Sequence, residues 1–373
     1  MYQLLVITGI SFLAFCVTVL CTRLLITHAE DLRLIDTPNE RSAHCNPTPR
    51  AGGLAFSLAF FAGSVGLWVF HIVPFAWLLP LWTGGSLVTL IGWMDDRHNM
   101  SASSRLLVHF TSALLVYALI TRGFETTINV ALVPVQWPII TFAFALLFVA
   151  WMINLYNFMD GIDGLAGLNA VVVAVCLAGL SACRHELECT ALYTLLALSV
   201  LGFLFHNWSP ARIFMGDSGS TFLGFTFAAM ALIGKVMGNL GFVPNVIILG
   251  CFVVDATYTL MIRFFQKKKL HQAHRDHAFQ HAIQMGWSHR RVVLFYCAIT
   301  LFWLFPLSLA ALVYERIAVL FLVIAYLPLI TMMMFFKAGL EGQLPTYRSV
   351  VLKSRKLPES EPQAREPRPY ADQ

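Results

Sequence analysis

The sequence predicts an all-α fold, a polytopic membrane bundle of about eleven transmembrane helices. Of its 373 residues, 58% are hydrophobic and only 12% are charged, whereas soluble globular proteins carry about 25% charged residues. Apolar stretches of about 20 residues, long enough to span a bilayer, recur along the chain. This composition excludes a soluble enzyme. The net charge of +5 could suggest a nucleic-acid partner. The positions of the charged residues argue against that interpretation.

The first apolar segment has no basic residues ahead of it and exceeds the roughly 7–15-residue core of a signal peptide, so we expect a retained span. From about residue 338 the chain is rich in Pro, Glu and Arg, which predicts a disordered tail. The division is therefore a membrane domain over 1–337 and a tail over 338–373. The predicted spans are 4–26, 52–71, 75–94, 105–121, 134–153, 164–182, 190–206, 219–237, 243–264, 292–313 and 317–336.

Basic residues divide unequally between alternate loops. One set of loops, including the tail, carries 21 of the 25 Lys and Arg residues, and the other carries Arg122, Arg184, Lys235 and Arg316. Because basic loops remain in the cytoplasm, the first set is predicted to be cytoplasmic. The N-terminus is then outside and the C-terminus inside.

Two adjacent acids, Asp95 and Asp96, close the third predicted span. Neighbouring carboxylates repel each other at a membrane boundary, and a nearby cation relieves the repulsion. A solvated helix end with Arg97 as counter-ion is the structural alternative. Both interpretations stay open for this motif taken alone.

A second acidic loop follows the fifth predicted span. Asn154 and Asn157 lie three residues apart, on one helical face, and Asp160 and Asp163 are each followed by glycine. Asp163 alone is explained as a helix cap. Two acids and two amides between apolar spans exceed what a cap requires, which favours a functional site.

A Gly-Asp-Ser-Gly turn precedes the eighth predicted span, within Phe214–Ser220. The N-terminus of a helix offers backbone N–H groups and a positive dipole end that suit a phosphate. Asp217 in this turn suits Mg²⁺ bound to the phosphate. An N-cap is the structural alternative.

The most basic cytoplasmic loop, residues 263–291, contains three histidines. His274, His277 and His281 share one face if the segment is helical, and the functional interpretation is contact with a pyrophosphate. An amphipathic stretch on anionic lipid is the structural alternative, and zinc is disfavoured by the oxygen-rich surroundings. Asp255, inside the ninth predicted span, is either functional or a structural hydrogen-bond partner.

Together, these motifs describe a Mg²⁺-assisted phosphate site at one membrane surface, because every acidic motif is assigned to the same side. A transporter of anionic substrates is an alternative, but it predicts ionisable residues near the membrane midplane, where only Asp255 qualifies. A CDP-alcohol phosphotransferase is a further alternative. Enzymes of that class have an ordered run of acids with Ala-Arg after the first Asp-Gly, and this sequence lacks that run.

The ordered strings Asp95-Asp96, Asn154-x-x-Asn157-x-x-Asp160-Gly-Ile-Asp163-Gly, Phe214-Met-Gly-Asp217-Ser-Gly and His274-x-x-His277 resemble the polyprenyl-phosphate N-acetylhexosamine-1-phosphate transferases. The resemblance is closer to the WecA type, and to its WbpL-like O-antigen-initiating group, than to the MraY-type phospho-MurNAc-pentapeptide transferases. His44 and Cys45 stand where the MraY type has a lysine.

The resemblance implies a role for each matched residue. Asp217 and Asp95 would hold Mg²⁺, with Mn²⁺ as a substitute, and Asp95 and Asp96 would be catalytic. The nucleotide-binding residues would be Asn157, Asp160, Asp163 and Phe214. The diphosphate-binding residues would be His274, Arg275, His277 and Arg105. Asn154, His281 and Asp255 are secondary candidates.

The resemblance further implies a bacterial inner-membrane enzyme with a cytoplasmic active site. It would transfer a HexNAc-1-phosphate, or a 6-deoxy-HexNAc-1-phosphate, from a UDP-sugar to undecaprenyl phosphate and release UMP. This reaction begins O-antigen, lipopolysaccharide and other cell-surface polysaccharide synthesis. A homodimer is compatible with the resemblance, and phospho-MurNAc-pentapeptide transfer is an alternative activity.

Overall fold

Long apolar helices build the protein, as a computed structural model shows for residues 1–37, 47–98, 100–121, 138–238, 240–268 and 274–340. A two-stranded antiparallel sheet, β1 (Ile35–Asp36) with β2 (Thr48–Pro49), links the first two helices. The helices of the first part are α1 (Tyr2–Thr27), α2 (Gly53–Val69), α3 (Phe75–His98), α4 (Ala102–Thr121), α5 (Pro138–Met159), α6 (Leu165–Cys183), α7 (Leu187–Asn207) and α8 (Asp217–Met237).

The second part begins with a bent pair and ends in a hairpin. Its helices are α9 (Phe242–Ile248), α10 (Gly250–Phe265), α11 (Ala278–Gln284), α12 (His289–Ile299), α13 (Phe305–Val313) and α14 (Ala318–Phe335). A π-helical turn, Thr300–Leu304, joins α12 to α13, and a 3₁₀ turn, Glu315–Ile317, precedes α14.

The prediction of a polytopic helical membrane protein is confirmed. Within the described ranges, nine helical segments are long and apolar enough to cross a membrane, and a tenth span is obtained if α9 and α10 are counted together. The 17-residue apolar helix α2 occupies the second predicted span. The exact count of eleven and the orientation in the membrane stay predictions, as does the tail, of which residues 341–373 lie outside the described residues. His44 and Cys45 also lie outside them.

Helix α8 lies at the centre of the bundle, and every residue from Ser218 to Gly234 is buried. It packs against α2, α3, α4 and α5. Glycines permit this closeness: a Cβ added at Gly224 would lie 2.2 Å from the carbonyl oxygen of Met152 on α5. The helix thus fixes the relative positions of the α3, α5 and α8 ends that carry the acidic motifs.

The ninth predicted span is broken, contrary to the continuous helix expected over 243–264. Helices α9 and α10 meet at a 75° bend, between Pro244, which lacks an N–H, and Gly250. In a membrane, the backbone groups freed by such a break need partners inside the protein. The Ser308 hydroxyl donates to the Pro244 carbonyl at 2.8 Å, and the Tyr326 hydroxyl donates to the Val246 carbonyl at 2.6 Å.

Candidate active site

A cavity of about 400 Å³ lies at the end of the bundle where α3 and α5 end and where α6 and α8 begin. Four of the five acids singled out in the sequence reach this cavity. Its walls are formed by Asp36, Arg50, Asp96, Asn157, Asp160, Gly161, Ile162, Asp163, Asn207, Phe214, Met215, Gly216, Asp217 and His289.

The segment before α2 holds the segment before α8 in place. The Phe214 N–H donates to the Pro49 carbonyl at 2.8 Å, and the Gly52 N–H donates back to the Phe214 carbonyl at 3.0 Å. Gly53 then packs directly against Gly219 of α8. Only glycine fits there, because a Cβ added at Gly53 would lie 2.1 Å from the Cα of Gly219. This pairing places the half-buried Phe214 ring on the cavity wall.

Asp96 caps helix α8 from a different helix. Its two carboxylate oxygens accept hydrogen bonds from the N–H groups of Asp217, at 2.8 Å, and Ser218, at 3.1 Å. The first N–H groups of a helix lack partners within it, and a carboxylate also matches the positive end of the helix dipole. The sequence predicted that this helix end would receive a phosphate, whereas the structure places the Asp96 carboxylate there.

Arg105, on α4, joins two of the predicted acids. One guanidinium nitrogen lies 3.0 Å from Asp95 and 2.8 Å from Asp217. Asp95 also accepts a hydrogen bond from the Met100 N–H at 2.5 Å, and it is not part of the cavity wall. The predicted metal ligands Asp95 and Asp217 therefore share a cation from the protein, and Arg105, which was predicted to bind the diphosphate, pairs with these two acids.

Asn154 and Asn157 lie inside α5 and not in the loop after it, because the helix continues to Met159. The Asn157 amide lines the cavity and donates to the Ser220 hydroxyl at 3.2 Å. The Asn154 amide donates to the Ala150 carbonyl at 2.7 Å and lies 3.2 Å from His109. Only Asn157 of this pair reaches the cavity.

Asp160 and Asp163, between α5 and α6, have opposite electrostatic environments. Burial, with the negative charges of Asp217, Asp96 and Asp163, raises the pKa of Asp160 from 3.8 to about 8. Burial also acts to raise the pKa of Asp163, but the hydrogen bond and charge of His289 outweigh it and lower that pKa. At neutral pH Asp160 therefore retains its proton, whereas Asp163 is ionised.

The histidine loop differs from the predicted helical face. His274 and His277 precede α11, and only His281 lies within it. His277 is 2% exposed and bonds through Nδ1 to Asp255 at 3.2 Å, while His281 bonds to the Phe336 carbonyl at 2.8 Å. Neither belongs to the cavity wall, so the structure does not support direct diphosphate contact by His277 or a shared face for the three rings.

His274 and Arg275 remain at the surface end of this loop. Arg275 is exposed, and the Nδ1 atom of His274 is buried with no hydrogen-bond partner among the described residues. Burial, and then the charges of His277 and Arg263, lower the pKa of His274 from 6.5 to about 4. Without a bound ligand, His274 is therefore a neutral hydrogen-bonding group at pH 7.

Asp255 has the structural role that the sequence left open. It is fully buried and accepts hydrogen bonds from the Tyr296 hydroxyl at 2.6 Å and the Ala278 N–H at 3.1 Å. Together with His277, these contacts attach the histidine loop to α10 and α12. Asp255 is a positioning residue for that loop.

Four cavity residues were not predicted to have a role: Asp36, Arg50, Asn207 and His289. His289 lies 3.4 Å from Asp163, and the Asn207 side chain accepts from the Gly164 N–H at 3.1 Å and donates to the Ile213 carbonyl at 2.9 Å. Asn207 could have been recognised in the sequence, because it is a polar amide at the end of an apolar span.

The donor set of the cavity fits a divalent cation held mainly by substrate. In the described ranges, no three acidic, histidine or cysteine side chains converge as direct ligands of one ion. Mg²⁺ is commonly held by one or two carboxylates, waters and substrate phosphates. Asp217 suits this role because its side chain is 24% exposed and lines the cavity. Burial raises the pKa of Asp160, and the negative charges of the neighbouring acids raise it further; a cation would offset that repulsion.

Comparison with known proteins identifies related transferases. A family model described as Glycosyl transferase family 4 matches residues 78–235. A probable undecaprenyl-phosphate N-acetylglucosaminyl 1-phosphate transferase of Bacillus subtilis is 27% identical over 290 residues, 76% of this chain and 80% of the relative. A decaprenyl-phosphate N-acetylglucosaminephosphotransferase of Mycobacterium leprae is 29% identical over 320 residues, 76% of this chain and 79% of the relative.

A phospho-N-acetylmuramoyl-pentapeptide-transferase of Synechococcus sp. (strain JA-3-3Ab) is 32% identical over 268 residues, 66% of this chain and 74% of the relative. The matched family region contains the Asp95-Asp96 pair, both acids after α5 and the turn before α8. The family predicted from these motifs is confirmed. The chain therefore belongs to glycosyl transferase family 4, the family of the polyprenyl-phosphate sugar-1-phosphate transferases.

Proposed function

We propose that the protein transfers a HexNAc-1-phosphate, or its 6-deoxy form, from a UDP-sugar to undecaprenyl phosphate, releasing UMP. One observation carries this proposal: Asp96, Asp160, Asp163 and Asp217 converge on one cavity at the ends of apolar helices. A site at this level allows the lipid tail to remain in the bilayer while its phosphate meets a water-soluble nucleotide. The names of the B. subtilis and M. leprae relatives support the same reaction class.

The cavity offers complementary groups for a nucleoside diphosphate sugar. The Phe214 ring is a half-buried aromatic surface for stacking on a base. The Asn157 amide and the Asp163 carboxylate offer hydrogen bonds, and Arg50 offers a cation to a phosphate. We assign the base to the Phe214 wall and the diphosphate to the space between Arg50 and Asp217.

Mg²⁺ would be held by Asp217, with Asp160 beside it, and would neutralise charge on the diphosphate when bound. Release of the Asp160 proton is then expected to accompany metal binding, because a cation stabilises the ionised carboxylate. Arg105 keeps Asp217 oriented through its 2.8 Å contact. Mn²⁺ is the expected substitute.

The reaction exchanges one anhydride bond for another. An oxygen of the lipid phosphate attacks the phosphorus that carries the sugar, the bond from that phosphorus to UMP breaks, and UMP leaves with the electron pair. Any remaining proton on the lipid phosphate needs only a modest base. Of the two predicted catalytic acids, Asp96 lines the cavity and Asp95 does not, so Asp96 is the better-placed acceptor. The step is near thermoneutral and reversible.

The sugar and the pathway follow from the same proposal. We propose an N-acetylated hexosamine as the sugar, the bacterial inner membrane as the location and the cytoplasmic face as the side of the active site. The product would begin O-antigen or another cell-surface polysaccharide. UDP-MurNAc-pentapeptide is the competing donor, because the Synechococcus relative is named for that transfer.

The test is UMP release and formation of lipid-linked sugar by the purified full chain with undecaprenyl phosphate and a panel of UDP-sugars. UDP-GlcNAc, UDP-GalNAc, their 6-deoxy forms and UDP-MurNAc-pentapeptide make up the panel. We expect turnover that requires Mg²⁺ and falls at least about 100-fold in Asp217→Asn. Asp31→Asn, an exposed acid after α1, is the matched control. No turnover with any donor, or full activity in Asp217→Asn, would contradict the proposal.

A further inference from the structure

A second cavity, of about 500 Å³, lies at the opposite end of the bundle from the catalytic one. It forms where α6 and α8 end and where α13 turns into α14. Helix α8 connects the two cavities: it begins at Asp217 and has Lys235 in its last turn. Its 21 residues rise about 30 Å, the thickness of the hydrocarbon core of a bilayer.

The polar wall of this cavity is cationic. Arg184, Lys235 and Arg316 line the cavity, and Glu315 is the acidic residue among the lining residues. Arg184 is occupied, because its guanidinium bonds to Glu315 and to the Leu312 carbonyl. The side chains of Lys235, which is half-buried, and Arg316 have no ion pair or hydrogen bond with any described residue.

Helix dipoles do not account for both of these cations. Lys235 in the last turn of α8 is favoured by the negative end of the helix. Arg316 lies immediately before α14, where the positive end of the helix disfavours a cation. Arg316 nevertheless lines the same cavity as Arg184 and Lys235, and a bound anion would offset this concentration of positive charge.

The sequence points the same way. Only four of the 25 basic residues fall in the loops assigned to this side of the membrane. Arg122 lies outside the described residues, and the other three all line this one cavity. Topology disfavours basic residues in these loops, so their concentration at one position indicates a binding role.

The rest of the wall is apolar and indicates the class of ligand. Leu240 from the α8–α9 connection, Phe242, Val243 and Pro244 from the start of α9, and Ala311 from α13 line the same cavity as the cations. A phosphate on a hydrocarbon chain matches both halves of this lining, since the anion meets the cations and the chain meets the apolar wall. We propose that this cavity binds a phosphate group in the leaflet opposite the catalytic site. The phosphate belongs either to a lipid headgroup or to a free phosphate ion.

Binding to the purified full chain, measured by native mass spectrometry and by melting temperature, tests this assignment. The probes are phosphatidylglycerol, zwitterionic phosphatidylcholine and inorganic phosphate. The variants are Lys235→Met/Arg316→Gln, the charge-preserving Lys235→Arg, and Arg23→Gln, which removes an exposed cation from the other end of the bundle. We expect affinity for phosphatidylglycerol to fall about fivefold for each cation removed, and to be kept in Lys235→Arg and Arg23→Gln.

The two sources give different results. Stabilisation by phosphatidylglycerol and not by inorganic phosphate assigns a lipid headgroup, and stabilisation by both, lost in the double variant, assigns the phosphate group itself. If the double variant loses its fold, Arg316→Gln alone retains the test, because Arg316 is exposed. Equal binding of phosphatidylglycerol by the wild type, the double variant and Arg316→Gln, or no preference over phosphatidylcholine, overturns the proposal.

Discussion

Arg105 balances two acids that would otherwise repel each other. Asp95 and Asp217 lie within 3.0 Å of the same guanidinium nitrogen, at a position where burial and low dielectric strengthen both attraction and repulsion. Removal of one partner from such a group leaves an uncompensated charge. Arg105 is thus placed to set the position of the acid that we assign to Mg²⁺.

We expect Arg105→Gln to lower the rate of UMP release by at least about tenfold, because Asp217 loses its orienting cation. Arg105→Lys should recover part of that rate, since an ammonium is a point charge that cannot reproduce the guanidinium geometry. Arg212→Gln, which removes an exposed charge outside the cavity wall, serves as the control. The measurement is the initial rate at several Mg²⁺ concentrations. An unchanged rate in Arg105→Gln would show that Arg105 has no part in the site.

Asp160 predicts a pH dependence of stability in protein freed of divalent ions. Its pKa is raised from 3.8 to about 8 in the folded state, so the folded protein holds a proton that the unfolded chain releases. The contribution of Asp160 to the free energy of unfolding is fully present below pH 4 and is lost as the pH rises towards 8. The pKa of His274 is lowered to about 4 in the folded state. Its contribution to the free energy of unfolding is therefore lost as the pH falls below 6.5, which is the opposite dependence.

The window from pH 6.5 to 8 therefore separates the two groups. We expect the melting temperature of the wild type in EDTA to fall across this window more steeply than that of Asp160→Asn, which cannot ionise. Added Mg²⁺ should restore stability mainly at the upper end, where the acid is ionised. Parallel curves for the two proteins would mean that Asp160 does not carry a raised pKa.

Among the helices, glycine contacts determine how closely the acidic ends approach. A Cβ at Gly92 on α3 would lie 2.5 Å from the Asp217 carbonyl oxygen, and one at Gly216, whose φ is +74°, would lie 2.6 Å from the Asp96 carboxylate. The Asp217 backbone cannot move aside as the end of a flexible side chain does, and the positive φ of Gly216 disfavours any side chain there. The spacing between α3 and α8, and therefore the capping of α8 by Asp96, depends on these two positions.

Gly53→Ala tests the corresponding close packing of α2 against α8. The added methyl group would lie 2.1 Å from the Cα of Gly219, so we expect a loss of about 1–3 kcal/mol in stability and reduced turnover. Gly9→Ala on α1 is the matched control, because no atom lies within 4 Å of its added Cβ and alanine favours a helix. Melting temperature and UMP release measure both. Equal behaviour of the two variants would contradict the packing argument.

Sequence patterns predicted the helices and the acidic ends well, because hydropathy and loop position are local properties. Partner choice was harder. Nothing near His277 in the sequence indicates Asp255, which lies 22 residues earlier and is brought to it by tertiary packing after the α9–α10 bend. Arg50 and Asp36 reach the cavity through the register of a two-residue strand pair, and so short a pair leaves no alternating pattern to recognise.

The whole molecule is asymmetric in charge along the membrane normal. Of its 25 basic residues, 21 fall in one set of loops, and the structure gathers the acidic cavity at that same end, beside β1, β2 and the start of α8. The opposite end has few cations, and those described line the second cavity. We expect this asymmetry to set the direction in which the chain inserts, because basic loops resist translocation.

The orientation can be measured with single cysteines and a membrane-impermeant maleimide. Cys183 is exposed at the end of α6, away from the catalytic cavity, while Glu30 is exposed after α1, at the catalytic end. In intact cells we expect labelling of a variant that retains only Cys183. A cysteine-free chain with Glu30→Cys should be labelled only after the cells are opened. The reverse pattern would place the acids outside, where cytoplasmic UDP-sugars do not reach them, and the proposed reaction would then have no donor.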